Sequence, residues 1–253
     1  MLKKVNMYYQ NPMIMIKKQL LYLVILFLFA FEGFCQNYTD FQGRFIPSVS
    51  YRFNEKWKIA GQYRYSLQKD LQEFRSSAAQ LDIEYNITEN ISLETGYRFT
   101  TSFKEDNHRL FGGIKYAKKF NAFKLFSGIK YQFSTGSFDS RYMKYFEQPN
   151  HTLREKIGLE YNIPKSKIDV YTSAELFLRL AEDEDPIKIN RARYEIGVDY
   201  KFKYGNTFGL SFFYDDRTNP RKTDRFVLEA KYSLSIDDML KKIKKNKEKK
   251  AEE

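Results

Sequence analysis

Between Ser76 and Phe103 the chain reads SSAAQLDIEYNITENISLETGYRFTTSF, with apolar and polar residues alternating on both sides of a polar turn. Ala79, Leu81, Ile83 and Tyr85, then Ile91, Leu93, Tyr97 and Phe99, fall on one face; Gln80, Asp82, Glu84, Glu94 and Arg98 fall on the other. A side-chain period of two belongs to strands, not helices. A chain built of such hairpins must bury their apolar faces in a common core or turn them towards lipid.

The alternation recurs from Gln36 to Ile236. It predicts strands over Arg44–Phe53, Trp57–Leu67, Ser77–Tyr85, Ile91–Phe103, Arg109–Ala117, Phe123–Phe133, Leu153–Tyr161, Lys167–Leu180, Arg193–Phe202, Thr207–Tyr214 and Arg225–Ile236. Most match the roughly 9 to 11 residues with which a tilted strand crosses a bilayer, whereas strands of soluble proteins have a mode of about 5 to 6. Short turns at Asn54–Lys56, Asn86–Asn90, Lys118–Ala122, Asn162–Ser166 and Lys203–Asn206 alternate with connections that are mostly longer or more polar, at Gln68–Ser76, Lys104–His108, Ser134–Thr152, Ala181–Ala192 and Asp215–Asp224. Tight turns at one rim and larger loops at the other are a property of outer-membrane barrels.

A four-residue pattern, Gly-apolar-charged-aromatic, appears at Gly96–Phe99, Gly113–Tyr116, Gly128–Tyr131, Gly158–Tyr161 and Gly197–Tyr200. On a strand it puts the glycine and the charge on one face and the aromatic on the other. Tyr85, Tyr116, Tyr161 and Tyr200 then reach the turn ends of their strands, and Tyr65, Phe99, Phe133 and Tyr214 the loop ends, as two interfacial girdles would require. With apolar faces inward, the strands would enclose more volume than their side chains fill. A soluble lipocalin-like barrel is the alternative. The expected fold is therefore all-β: an antiparallel up-and-down transmembrane β-barrel. The candidate strands are odd in number, while single-chain bacterial barrels have even numbers. The expectation is about 12 strands, with Asn37–Gly43 as a further short one, or about 10.

At the N-terminus, Lys17 and Lys18 precede the apolar run Leu20–Phe31, the length of a secretory signal core. Gly33 and Cys35 supply small residues for cleavage before Gln36, giving a signal peptide over 1–35, a barrel over 36–236 and a basic periplasmic tail over 237–253. A lipid anchor on Cys35 is the rival reading, opposed by the bulky Phe34 before it. Cleavage would leave no cysteine, so disulfides and thiol chemistry are not expected. Much of the net charge of +11 belongs to the signal and the tail. The remainder is mixed in sign, unlike the clustered charge of a nucleic-acid binder.

The polar faces place Arg98, Lys115 and other cations among carboxylates. With the turn centred near Thr88, Asp82 is expected opposite Glu94, a like-charge pair needing a cation between them. Lys115 and Arg98 are the candidates, and the set Asp82, Glu94, Arg98 and Lys115 is read as a structural salt-bridge network; a carboxylate guarding a pore is the functional alternative. In the longest loop, Phe138, Tyr142, Tyr145 and Phe146 alternate with Arg141 and Lys144, a combination suited to stacking on sugars or lipid head groups, although loop aromatics more often fold over the barrel mouth as a lid. His108 and His151 are predicted in outer loops, near Ser102 and Asp106 and near Ser134, Ser137 and Asp139 respectively; these are the residue types of a barrel hydrolase, but such proximity is common in polar loops and they are read as ordinary solvated loop residues. Neither a cofactor motif nor metal-ligand spacing is found.

Phe41-Gln42, the Asn86–Phe99 hairpin, Leu153–Tyr161, Ser173–Phe177 and Asn190–Tyr194 together resemble domain-of-unknown-function family 2490 over nearly the whole exported chain. The resemblance implies an exported outer-membrane barrel and carries no activity with it. The expected role is a small pore or surface-binding protein with a charge-lined lumen. A lipid-modifying barrel enzyme and a soluble periplasmic ligand-binding barrel are the alternatives. Expected partners are outer-membrane lipid and the barrel-assembly machinery, with the protein a monomer.

Overall fold

A computed structural model describes residues 40–139, 149–180, 187–202, 205–218, 224–237 and 240. The predicted signal peptide over 1–35 and most of the tail lie outside them. Eleven strands form one closed barrel: β1 (Asp40–Arg52), β2 (Trp57–Gln68), β3 (Glu73–Asn86), β4 (Ile91–Thr101), β5 (Glu105–Phe120), β6 (Phe123–Asp139), β7 (Asn150–Asn162), β8 (Ile168–Leu180), β9 (Ile187–Lys201), β10 (Asn206–Asp216) and β11 (Arg225–Ser235). These are the strands that the alternation predicts. The adjustment to an even number is not needed, because the barrel closes through a parallel β1–β11 pair running from Asp40↔Arg225 to Ser50↔Ser235. All other neighbours are consecutive and antiparallel. β1 therefore starts at the loop rim, and β11 ends at the turn rim.

Local chemistry explains why the turn rim is tight. Asn54 Oδ1 accepts hydrogen bonds from the backbone N–H groups of Lys56 and Trp57, both at 2.9 Å. Asn121 takes a left-handed conformation (φ 54°), which its short polar side chain tolerates. Only Asn121 and Ala122 then separate β5 from β6, and both strands run beyond the lengths expected from the sequence. Register shifts at Ser66/Leu67, Asp106/Asn107 and Phe177/Leu178 lie towards the loop rim, where bulges re-aim the chain.

The barrel is inside-out relative to a soluble one. Leu110 and Ile114 are 55% exposed and Ile157 is 57% exposed, and they belong to an apolar belt running round the wall. So large an apolar surface is unsuited to water and suited to the hydrocarbon of a bilayer. The barrel is thus a transmembrane one, and the soluble lipocalin-like alternative is corrected by the direction of these side chains. Trp57 packs on Tyr85 and Phe123 on Tyr161 at the turn rim, with centroids 4.7 and 4.8 Å apart. At the loop rim Phe74 meets Phe103 at 5.1 Å and Tyr214 meets Phe226 at 5.0 Å. The two girdles are in place.

Candidate functional site

Inward residues of β3 to β6 build the first part of the lumen. Glu84 pairs directly with Glu94 across the β3–β4 hairpin, and Asp82 faces Gly96. The expected Asp82–Glu94 opposition is corrected by two residues on one strand. The cause is the turn: Ile87 N–H donates to Ile91 C=O at 2.9 Å and Thr88 Oγ1 accepts from Ile91 N–H at 3.0 Å, which moves the turn centre beyond Thr88. The like-charge pair survives with a different member. Lys115 Nζ lies 2.8 Å from both Glu84 Oε2 and Glu94 Oε2, and Lys130 Nζ is 2.7 Å from Glu94 Oε1. Asp82 instead accepts from Gln62 at 2.9 Å and from Gln80 at 2.6 Å, while Arg98 donates to Gln80. Of the four residues singled out, the structure joins Glu94 to Lys115 and leaves Asp82 and Arg98 in a separate polar group linked by Gln80.

Towards the turn rim three lysines pair with carboxylates. Lys124 meets Glu160 at 2.8 Å, Lys156 meets Glu195 at 3.0 Å, and Lys201 pairs with Asp169. Tyr171 and Ser173 also donate to Glu195, each at 3.2 Å. A cavity of about 680 Å³ opens beside Lys124, Lys156, Glu160 and Glu195 and reaches Arg44, Arg154 and Arg193.

Mid-lumen is crossed by a layer of phenylalanines and arginines that charge patterning alone did not reveal. Arg191 stacks on the Phe177 ring at 3.6 Å from its centroid and Arg154 lies at 4.6 Å; Arg193 and Arg44 lie 4.0 and 4.9 Å from the centroid of Phe213. Arg154 Nε reaches Glu175 at 2.8 Å, and Asp215 receives Arg193, Arg191 and Arg225. The signal was present in strand parity, since Phe177 shares the inward face with Glu175 and Phe213 with Asp215. The lumen glycines have a related role. Gly96 faces Phe111, Gly158 faces Phe126 and Gly197 faces Tyr171 across neighbouring strands, and each aromatic ring occupies the space a β-carbon would need.

Above this layer a second cavity, of about 450 Å³, is lined by Arg75, Arg109, Arg191, Arg217 and Arg225 against Glu105. Arg109 donates to Ser134 at 3.0 Å and Arg75 to Gln42, both uncharged partners. Burial pulls the Arg217 guanidinium below its ordinary pKa, opposed by the negative charges of Asp215, Asp224 and Asp40.

The histidines stand elsewhere than expected. His108 and His151 belong to β5 and β7, on the outer wall and not in loops. His108 Nδ1 is 2.6 Å from Tyr97 Oη and His151 Nδ1 is 2.5 Å from Tyr131 Oη, and their rings pack on Phe99 and Phe133. Ser134 points the other way, to Arg109. Both histidines belong to the loop-side girdle. Phe138 is a β6 residue paired with Asp106, not a loop residue. Arg141, Tyr142, Tyr145 and Phe146 lie outside the described residues. Among the described residues, no group of three or more His, Cys, Asp or Glu side chains stands close enough to hold a metal ion.

The profile of the family described as "Protein of unknown function (DUF2490)" matches residues 41–227. Similar solved structures include a bacterial polysaccharide outer membrane secretin, at TM-score 0.47 and 12% identity over 72% of this chain. The chain spans 63% of that structure's length, less than two thirds. The NanC porin is similar at TM-score 0.45 and 10% identity over 70% of this chain and 87% of its own. The translocator domain of the autotransporter NalP from Neisseria meningitidis is similar at TM-score 0.42 and 10% identity, over 66% of this chain and 72% of its own. No curated protein matches the chain.

Proposed function

The chain belongs to the DUF2490 family of proteins of unknown function, and from that premise and its charged interior we propose that it is a small outer-membrane pore narrowed at mid-height. One observation carries this reading: polar cavities of about 450 and 680 Å³ lie on the two sides of the Phe177–Phe213 layer, inside a wall whose outer surface is apolar. A purely structural barrel has no need of hydrated space on both sides of a constriction. Charged side chains there give passing solutes hydrogen-bond partners and a field that selects among them.

In this reading residues 1–35 are removed during export, the barrel-assembly machinery inserts the strands and the protein works as a monomer. The test is functional insertion of the purified chain. Unboiled protein should migrate faster than boiled protein in detergent gels, and liposomes carrying it should pass small solutes that empty liposomes retain. Folded, inserted protein that passes no solute would overturn the pore and leave a surface-binding barrel.

A further inference from the structure

The two halves of the lumen treat their cations differently. On the turn side Lys124 and Lys156 each sit 2.8 to 3.0 Å from a carboxylate, the arrangement that cross-links a barrel interior. On the loop side, among the described residues, the cavity lining holds five arginines and one carboxylate. Among the described residues Arg109 and Arg75 bond to Ser134 and Gln42 and Arg98 to Gln80, with Asp40, Asp215 and Glu105 in electrostatic range of Arg75. Arg98 also lies within electrostatic range of Arg64, Arg109, Arg154 and Arg44. Asp215 is shared by three guanidiniums, and the Nε atoms of Arg191 and Arg225 are buried without an acceptor. Like charges crowded in a tunnel with low-dielectric walls repel one another and focus a positive potential at its mouth. Among the described lining residues, five carboxylates stand against eight cations in the turn-side cavity, but only one against five in the loop-side cavity.

We infer that the loop-side chamber is a binding site for a small solute bearing several carboxylate, phosphate or sulfate groups. Among the described residues, five arginines and one glutamate line a space of about 450 Å³, a volume within the usual range for small-ligand sites. Guanidinium forks suit planar or tetrahedral oxyanions and bind them at two points. Arg191 lies 3.6 Å from the Phe177 centroid and reaches Asp215 with one Nη at 3.3 Å, so ring and carboxylate together hold its fork at the chamber floor. A neutral sugar would leave these donors unpaired, and a polyamine would meet their repulsion. The site rests on the pore reading, for which it would be the entry chamber.

The probe is inorganic tripolyphosphate, titrated calorimetrically into the full exported chain folded in detergent, with spermine as the cationic control; conductance of the same protein is recorded in planar bilayers. Arg109→Gln and Arg217→Gln remove charge without breaking a carboxylate pair. Each should weaken tripolyphosphate binding about tenfold, as expected for loss of a charge-assisted hydrogen bond, and reduce the preference of the channel for chloride over potassium. Unchanged affinity in both variants, or equal binding of spermine, would overturn the inference. The β8–β9 connection carries Glu182, Asp183, Glu184 and Asp185. Binding seen only after these four are made amides would also overturn it, since the chain's own carboxylates would then be the ligand. A channel that conducts without anion preference removes the inference and leaves the pore, whereas a folded barrel that binds tripolyphosphate and never conducts removes the pore alone.

Discussion

Arg193 grips Asp215 at two points, Nε to Oδ1 at 2.7 Å and Nη2 to Oδ2 at 3.1 Å, and the carboxylate they share is fully buried. Arg225 from β11 adds a contact at 3.1 Å, so one carboxylate on β10 ties together the strands on both sides of it. Replacing Asp215 with Asn keeps the shape and removes the charge, leaving three guanidiniums facing one another. Breaking one partner out of a buried ion cluster costs about 3 to 5 kcal/mol. Asp215→Asn should therefore unfold at markedly lower denaturant concentration. Trp57 is the only tryptophan and packs on Tyr85 at the turn rim, so its fluorescence reports the transition. An unchanged midpoint would mean that water or counter-ions already screen the cluster.

Lys115 from β5 bridges the Glu84–Glu94 pair, and Lys130 from β6 holds Glu94 as well. Lys115 is 40% exposed, so solvent screening reduces what its two ion pairs contribute. Lys115→Ala should destabilise the barrel by about 1 kcal/mol, mainly through repulsion between the carboxylates it leaves behind. Glu84→Gln in the same chain removes that repulsion and should restore most of the loss. A double variant no more stable than the single one would show that Lys115 acts through packing along its stem, not through charge.

The aromatic rings over the lumen glycines make a different demand. At Gly158 a β-carbon would meet the ring of Phe126, the residue facing it on β6, and the backbone oxygen of Thr172 on β8 at 2.7 Å. The ring can swing away, but the strand backbone cannot. Gly158→Ala is expected to cost roughly 1 to 3 kcal/mol in the same unfolding measurement, and Phe126→Leu should recover only the part due to the ring. Full recovery would show that the β8 backbone yields at this position.

Strand existence and facing were legible because alternation is local: Leu81, Ile83 and Tyr85 face outward whatever the rest of the chain does. Register was not, because it is set by the turn. Whether Asp82 or Glu84 meets Glu94 depends on the hydrogen bonds of Ile87, Thr88 and Ile91, which the alternation leaves undetermined. Barrel closure was equally hidden, since a parallel β1–β11 seam leaves no mark in either strand and only the parity of the whole set reveals it. The histidines were misplaced for the opposite reason. A polar surrounding sequence suggests a loop, yet Tyr97 and Tyr131 give His108 and His151 partners on the barrel wall. The arginine-rich chamber could be assembled only from the fold, because its lining comes from strands and connections far apart in the chain.

Parity also places Glu155 on the outside of the wall. It pairs with Ile129 on β6 and Leu176 on β8, which are 54% and 39% exposed, and it stands between His151 at one girdle and Tyr161 at the other. A carboxylate in the apolar belt disfavours insertion, by less than the roughly 2 to 4 kcal/mol that a lysine or arginine costs at the midplane. Glu155→Leu should therefore raise stability by about 1 kcal/mol in lipid vesicles. In detergent micelles, whose water penetrates further, the gain should be smaller. The comparison of the two media isolates the lipid contribution, because the interior of the barrel is the same in both. A variant that loses stability in vesicles would mean that the Glu155 carboxylate has a hydrogen-bond donor on the lipid side of the wall, and the monomer would have to be given up for an assembly that supplies one.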